Sequence, residues 1–238
     1  SIVSQVIEIE DKGYDHAWGS QIFGADTLTA LAVAGAATER VELGTAVVPV
    51  YPRHVQMLAQ QALTVQSATR DRLLLGIGLS HKMIVENLWG MSYDRPARYM
   101  REYLEALMPM LRGEAVSVDG EVVKCTTMSP IEVPDTKAPP VIVAALGETM
   151  LKLAGRVADG TTTWMTGINT VAKHIAPTIN EAAAEAGRTA PRVVVALPVC
   201  VTQDVAGISA QLDELYSFYP NLPSYKAMLD LEGASTVS

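Results

Sequence analysis

The sequence predicts an α/β fold of the (β/α)8-barrel class, with an insertion and with the first and last strands missing from the chain. Three observations lead to this prediction. A length of 238 residues suits one domain of this size. Short apolar segments alternate with amphipathic ones, which favours a parallel sheet with helical crossovers. Only six strand-like segments are visible, whereas the full barrel has eight. An open, doubly wound sheet is the alternative.

The six predicted parallel strands share an apolar character and a short length. The third is apolar on both faces, as expected of a buried parallel strand. Its Gly76 and Gly78 are interpreted as sites of close packing, because the third glycine of a dinucleotide-binding motif is replaced by His81. The strands are predicted at residues 17–21, 41–48, 73–79, 141–146, 161–166 and 193–202.

Amphipathic segments between these strands predict the helices. Asp26 is the expected N-cap of the second helix. Residues 116–123 predict a hairpin with an Asp-Gly turn, inside an insertion of about 113–140 in a single domain that spans 1–238. Helices are predicted at 2–12, 27–38, 54–68, twice within 81–113, and at 148–158, 170–186, 204–218 and after Pro223.

Composition argues against several classes of partner. A net charge of -8, without a run of five basic residues, argues against nucleic acid. No apolar segment approaches the roughly 20 residues that span a bilayer, and no signal peptide is visible, so we expect a cytoplasmic protein without a membrane partner. No metal-ligand spacing is present. Cys200, inside an apolar run, is predicted to be a small buried residue.

The carboxyl ends of the strands are the expected place of function in a barrel. Few titratable residues occur there, which favours chemistry carried by a cofactor. His81 is either a proton donor or substrate contact, or a surface residue. Trp164 either stacks on a ring or is structural. Arg53 either binds an anion or is a solvated loop charge. The strand-to-helix turn at 145–147 could hold a phosphate on free N–H groups.

Several segments, in this order, resemble the luciferase-like monooxygenase superfamily and within it the F420-dependent branch found in actinobacteria. The similarity covers nearly the whole chain, and the combined order is more specific than any single segment. The segments are 43–49 (LGTAVVP), 51–54 (YPRH), 59–64 (AQQALT), 72–78 (RLLLGIG), 93–96 (YDRP), 100–104 (MREYL), 144–147 (AALG) and 154–160 (AGRVADG).

This resemblance implies a cofactor, coenzyme F420 or alternatively FMN, at the carboxyl ends of the strands. It places the back face of the ring on a bulge with a non-prolyl cis peptide at Ala46–Val47. It implies His81 and Gln21 as catalytic residues. The cofactor-binding residues that it implies are Ser20, Gln21, Thr45, Ala46, Val47, Leu79, Ser80, His81, Ala145, Leu146, Gly147 and Trp164.

The resemblance further implies an F420-dependent oxidoreductase that transfers a hydride between deazaflavin C5 and a small organic substrate, and that forms a homodimer. An FMN-dependent monooxygenase and a non-catalytic flavin-binding relative are the alternatives. The sugar-phosphate dehydrogenases of the superfamily carry an Asp-His pair where this sequence has Gln21 and Ile22, and a glutamate near His81. We therefore expect another alcohol, an imine or an activated alkene as substrate, rather than glucose 6-phosphate.

Overall fold

A computed structural model describes residues 1–236 and shows two compact units, Ser1–Ala144 and a second that begins at Ala145. In both units parallel strands alternate with helices along the chain. The six predicted parallel strands are all present, but five of them end one to six residues earlier than predicted, and the second is interrupted.

The first unit is built on a parallel sheet. The strands of this sheet are β1 (His16–Gly19), β2 (Glu42–Thr45), β3 (Val48–Pro49), β4 (Leu73–Gly78) and β7 (Val141–Ala144). A separate antiparallel hairpin is formed by β5 (Ser117–Asp119) and β6 (Lys124–Thr126). The parallel order is β1-β2-β4-β7, and β3 also pairs with β4. The helices are α1 (Ile2–Asp11), α2 (Thr27–Ala36), α3 (Val55–Ala68) and α4 (Pro96–Leu111), with a π-helical turn at Ile84–Leu88.

The core of the first unit lies where α3 and α4 pack and where β4 is enclosed. All six residues of β4 are buried, as its apolar character on both faces predicts. Leu58 on α3 and Leu107 on α4 have no exposed surface. Each such side chain contributes roughly 1.5–3 kcal/mol when it leaves water. The predicted N-cap of α2 is also confirmed, since the Asp26 carboxylate accepts the N–H of Thr29 at 2.8 Å.

The second unit pairs two parallel strands and surrounds them with short helices. Gly155 allows close helix packing there, because a Cβ at this position would lie 2.4 Å from the carbonyl oxygen of Ile179. The elements are β8 (Gly160–Trp164) and β9 (Arg192–Ala196), with α5 (Glu148–Val157), α6 (Ile168–Thr170), a π-helical turn at Val171–Ile175, α7 (Ala176–Glu185), α8 (Val205–Leu215), a 3-10 turn at Tyr219–Asn221 and α9 (Pro223–Glu232).

The strand predicted at 193–202 is shorter in the structure and ends at Ala196. Pro198 follows, and a proline cannot donate a ladder hydrogen bond. The residues beyond it are exposed, including Val199 and Val201 at 91% and 106% relative exposure. The prediction that Cys200 is buried is therefore wrong, since this cysteine is exposed.

The turn of the predicted hairpin is also different. The strands end at Asp119 and resume at Lys124, so four residues connect them instead of the two of an Asp-Gly turn. The buried Glu102 carboxylate explains the difference, because it accepts the N–H groups of Val122 and Val123, both at 2.9 Å. Burial by itself raises the pKa of Glu102, but these N–H bonds outweigh it and lower the pKa. A buried carboxylate on α4 thus fixes the insertion.

Candidate active site

A bulge separates β2 from β3 at the carboxyl end of this part of the sheet. Gly44 pairs with Leu74 and Val48 pairs with Ile77, so three residues on one side face two on the other. The peptide bond Ala46–Val47 within the bulge is cis, as predicted. Ala46 and Val47 are both partly exposed, and the N–H of Ala46 donates to the Gly19 carbonyl oxygen at 2.7 Å.

The Thr45 side chain replaces the backbone hydrogen bonds that the bulge interrupts. Its buried hydroxyl donates to the carbonyl oxygen of Gly76 at 2.7 Å and accepts the N–H of the same residue at 2.8 Å. Both polar groups of Gly76 are thereby satisfied without a backbone partner on β2. The sequence does not predict this arrangement, because nothing in it distinguishes Thr45 from a threonine that makes no such hydrogen bonds.

The two glycines of β4 make room for the bulge. A Cβ on Gly76 would lie 1.7 Å from the Thr45 carbonyl oxygen, and one on Gly78 would lie 2.7 Å from Cγ2 of Val47. No side chain fits at Gly76, where the neighbour is backbone. The close-packing interpretation of both glycines is confirmed.

The loop after β1 is fixed to the start of α2. The side-chain oxygen of Gln21 accepts the N–H of Thr27 at 3.2 Å, and the Thr27 hydroxyl donates to the Ser20 carbonyl oxygen at 2.8 Å. Gln21 thus satisfies one of the N–H groups that an α-helix leaves unpaired at its beginning. Its predicted catalytic role stays a prediction.

A sharp turn after β4 carries Leu79, Ser80 and His81. Ser80 has a left-handed backbone (φ 62°), and its carbonyl oxygen accepts the hydroxyl of Tyr93 at 3.3 Å. His81 is partly buried, and this burial lowers its pKa, which favours the neutral imidazole near pH 7. A neutral imidazole is suited to accept a proton, whereas the predicted role is that of a proton donor or substrate contact, so the catalytic role of His81 stays a prediction.

Four tyrosine rings stack beside this turn. The ring of Tyr51 lies 5.4 Å from that of Tyr93 and 4.3 Å from that of Tyr99, centroid to centroid. Tyr99 in turn stacks on Tyr103 at 6.0 Å, and the Tyr103 hydroxyl donates to the Arg53 carbonyl oxygen at 3.0 Å. Three of these tyrosines belong to segments that the sequence singles out, but nothing in the sequence shows that the rings meet.

Arg53 agrees with neither of its two sequence interpretations. Its guanidinium forms an ion pair with Asp26 at 2.7 Å, and only 15% of the side chain is exposed. Asp26 already caps α2 and also accepts a hydrogen bond from Gln61 at 3.2 Å. Arg53 therefore joins a structural network between α2 and α3.

In the second unit, residues 145–147 lead from the sheet into α5. Gly147 is the N-cap, no side chain caps this helix, and a Cβ on Gly147 would meet no atom within 4 Å. The ring nitrogen Nε2 of His174 lies 2.8 Å from the Leu146 carbonyl oxygen and so fixes the turn. N–H groups at an uncapped helix start favour anions.

Trp164 is the last residue of β8 and contacts other aromatic side chains of the second unit. Its ring packs edge to face against Tyr216 at 5.9 Å and Tyr219 at 6.3 Å. These contacts agree with the structural interpretation of Trp164, whereas stacking on a cofactor stays a prediction. Among residues 1–236, no group of three His, Cys, Asp or Glu side chains is placed to hold a metal ion, and no helix is long and apolar enough to cross a bilayer.

Parallel strands that alternate with helices are typical of the class of α/β-barrel enzymes, and strand ends with little acid or base favour chemistry carried by an organic cofactor. The sequence profile of luciferase-like monooxygenases matches residues 1–236, and the chain belongs to this family. The family prediction is confirmed, and with it the prediction of an enzyme.

Relatives and solved structures agree with this assignment. An uncharacterised protein of Mycobacterium tuberculosis is 27% identical over 95% of this chain and 70% of its own length. The F420-dependent glucose-6-phosphate dehydrogenase of Beutenbergia cavernae is 34% identical over 67% of this chain and 48% of its own length. An F420-dependent secondary alcohol dehydrogenase, solved with an F420-acetone adduct, superposes with a TM-score of 0.81 over 97% of this chain and 76% of its own, at 20% identity. This likeness confirms the predicted fold class.

Proposed function

We propose that the chain acts as an F420-dependent oxidoreductase that transfers a hydride between deazaflavin C5 and a small organic substrate. One observation carries the proposal. Of the twelve residues predicted to contact the cofactor, His81 is the only one with a titratable side chain. So few acidic or basic side chains favour chemistry that is carried by a bound group. The names of the F420-dependent relatives point to the same cofactor.

The residues present fit such a cofactor in two separate places. In the first unit, Ala46 and Val47 offer small, apolar and partly exposed side chains, which suit the face of a flat ring. In the second, the uncapped start of α5 at Gly147 suits a phosphate. When bound, a deazaflavin would supply the carbon that accepts or donates a hydride.

The remaining roles fall to residues of the first unit. We assign to His81 the transfer of a proton to or from the oxygen or nitrogen of the substrate, for which a neutral imidazole is suited. Gln21 is held against the start of α2 and would orient the substrate through its amide. Positioning of this kind lowers the barrier because it removes the entropic cost of bringing the reactants together.

The proposed substrate is an alcohol other than a sugar phosphate, an imine or an activated alkene. Glucose 6-phosphate belongs to the name of the Beutenbergia relative. This chain has Gln21 and Ile22 in place of the Asp-His pair that the resemblance associates with that substrate. An amide and an apolar side chain do not replace a carboxylate and an imidazole in acid-base chemistry.

The experiment that tests the cofactor is a titration of the purified protein with F420 and with FMN, followed by absorbance and fluorescence. We expect F420 to bind more tightly. The name of the family favours FMN and oxygen chemistry as the alternative, and tight FMN binding with oxygen consumption would establish it. Binding without turnover of any alcohol, imine or alkene tested would point to a non-catalytic flavin-binding protein.

We also infer a homodimer, a proposal that rests on the resemblance alone. Light scattering coupled to size-exclusion chromatography measures the molar mass in solution. A mass of twice 25.5 kDa is expected, and a concentration-independent mass of one chain would contradict the dimer.

A further inference from the structure

The hydroxyl of Tyr51 is buried without a hydrogen-bond partner. Only 3% of this residue is exposed. Within residues 1–236, its oxygen is one of three buried side-chain polar atoms that lack a partner, and the only one in the first unit. A buried donor left unpaired costs free energy, so such groups are rare in folded proteins and each calls for an explanation.

The position of Tyr51 suggests why the hydroxyl is kept. The residue lies two positions after the end of β3, at the carboxyl end of this part of the sheet. Its ring stacks on Tyr93 and Tyr99, both of which are partly exposed. The Tyr93 hydroxyl in turn donates to Ser80, next to His81. The unpaired hydroxyl therefore belongs to a cluster that adjoins the proposed proton-transfer residue.

We propose that the Tyr51 hydroxyl donates a hydrogen bond to an uncharged oxygen of a bound ligand, and that Tyr51, Tyr93 and Tyr99 form a subsite for a carbonyl or hydroxyl group. This subsite deepens the proposed function and rests on it. Binding would satisfy the phenol, so part of the free energy that the unpaired group costs in the empty protein returns when the ligand binds.

Charge near the cluster defines the chemistry of the ligand. Burial raises the pKa of Tyr51 well above its usual value, so the phenol stays protonated and acts as a donor. The carboxylates of Asp94 and Glu86 raise this pKa further, and the same negative charges disfavour an anionic ligand. A neutral oxygen on a planar or apolar molecule is the partner that remains. It could belong to a ring carbonyl of the cofactor or to the substrate.

Tyr51→Phe tests the subsite because it removes the hydroxyl and keeps the ring stack. Four probes separate the two sources of the oxygen: F420 and FMN for the ring carbonyls, and acetone and 2-propanol in the presence of saturating F420 for the substrate. We expect about tenfold weaker binding either of F420 and FMN or of acetone and 2-propanol, which is the usual effect of one lost hydrogen bond. The melting temperature should stay the same or rise, since no native hydrogen bond is removed.

Tyr103→Phe is the matched control, since its hydroxyl does have a partner in the Arg53 carbonyl oxygen. This variant should melt at a lower temperature and should bind all four probes as the parent does. Parental affinity of Tyr51→Phe for every probe would overturn the proposal. A decrease in the melting temperature of Tyr51→Phe as large as that of Tyr103→Phe would also overturn it.

A second readout works without a cofactor. In a protein labelled with 13C at the tyrosine ring, the NMR signal absent from Tyr51→Phe identifies Tyr51, and this signal should shift when a probe binds. If the parent binds neither F420 nor FMN, the proposed function fails, and acetone or 2-propanol alone still tests the subsite. A Tyr51 signal that none of the four probes moves overturns it.

Discussion

At the scale of residues, the bulge is held by groups that have no charge. The Thr45 hydroxyl takes over both hydrogen bonds of Gly76, and Gly76 leaves the space that the Thr45 carbonyl needs. A buried backbone group without a partner costs roughly 1–3 kcal/mol, so one hydroxyl that satisfies two of them stabilises the bulge considerably. Precise geometry at this point is thus achieved before any ligand arrives.

Ala46→Phe should block the face on which the cofactor ring is proposed to lie. The residue is partly exposed, so a larger side chain can point outward and the fold should be kept. We expect F420 binding to fall below detection in a fluorescence titration, while the circular dichroism melting curve stays close to that of the parent. Ala36→Phe, on the exposed surface of α2, is the control. A parental affinity of Ala46→Phe for F420 would show that the ring lies elsewhere.

At the scale of elements, carboxylates join segments that are far apart in the chain. Glu10 on α1 accepts the N–H groups of Glu39, Arg40 and Val41, which lead into β2. Glu232 on α9 likewise accepts the N–H and hydroxyl of Thr170. The hydrogen bonds from Val41, followed by those from Glu39 and Arg40, lower the pKa of Glu10 to about 2. The bonds from Thr170 do the same for Glu232, whose pKa is also about 2.

Glu10→Gln should therefore lower stability in a pH-dependent way. A carboxylate whose pKa is lowered by folding stabilises the folded protein at pH values above its unfolded-state pKa, here 4.5. This stabilisation is lost as the pH falls toward the folded-state pKa of about 2. The difference in urea-unfolding free energy between parent and variant should be constant from about pH 5 to 7 and should shrink below 4.5. Glu181→Gln, an exposed position on α7, serves as control. A difference that does not change with pH would refute this account of Glu10.

The uncapped start of α5 permits a test in which stability and binding change in opposite directions. Gly147 has the extended backbone of an N-cap (φ -80°, ψ 151°) and open space around it. Gly147→Asp should stabilise the helix by a few tenths of a kcal/mol, yet should weaken F420 binding, because its carboxylate would repel a phosphate.

Gly147→Asn separates charge from capping in this test. It also caps the helix but carries no charge, so it should bind F420 more tightly than Gly147→Asp does. Equal F420 affinities for the parent and both variants, measured by fluorescence, would show that the phosphate does not bind at this turn.

At the scale of the whole molecule, a net charge of -8 leaves no general attraction for an anionic cofactor. Recognition of the proposed cofactor would therefore depend on local donors such as the start of α5. Membership in the luciferase-like monooxygenase family extends over residues 1–236. The chain therefore keeps the order of elements that the family shares while its strand ends, above all Gln21 and His81, differ from the sugar-phosphate pattern.

The sequence predicts those features that depend on neighbouring residues. β4 is visible because its residues are apolar on both faces, and the Asp26 cap because it directly precedes its helix. Other contacts join residues that are distant in the chain: 31 positions separate Thr45 from Gly76, and 62 separate Glu232 from Thr170. Single polar side chains carry no signal of such partners, so the tyrosine stack and the carboxylate contacts could not be predicted.

The register of the bulge has a consequence for insertions and deletions. Between the pairs Gly44–Leu74 and Val48–Ile77, the chain of β2 and β3 holds one residue more than β4. Removal of Ala46 alone would leave every flanking pair in place, whereas removal of Leu75 from β4 would shift its pairing with both β3 and β7.

We therefore expect the Ala46 deletion to fold, as measured by a cooperative urea transition, and to lose F420 binding. The Leu75 deletion should not fold. In alignments of the family, relatives that no longer bind the cofactor would then show a one-residue gap at the position of Ala46. Cooperative folding of both deletions, or of neither, would contradict this interpretation of the register.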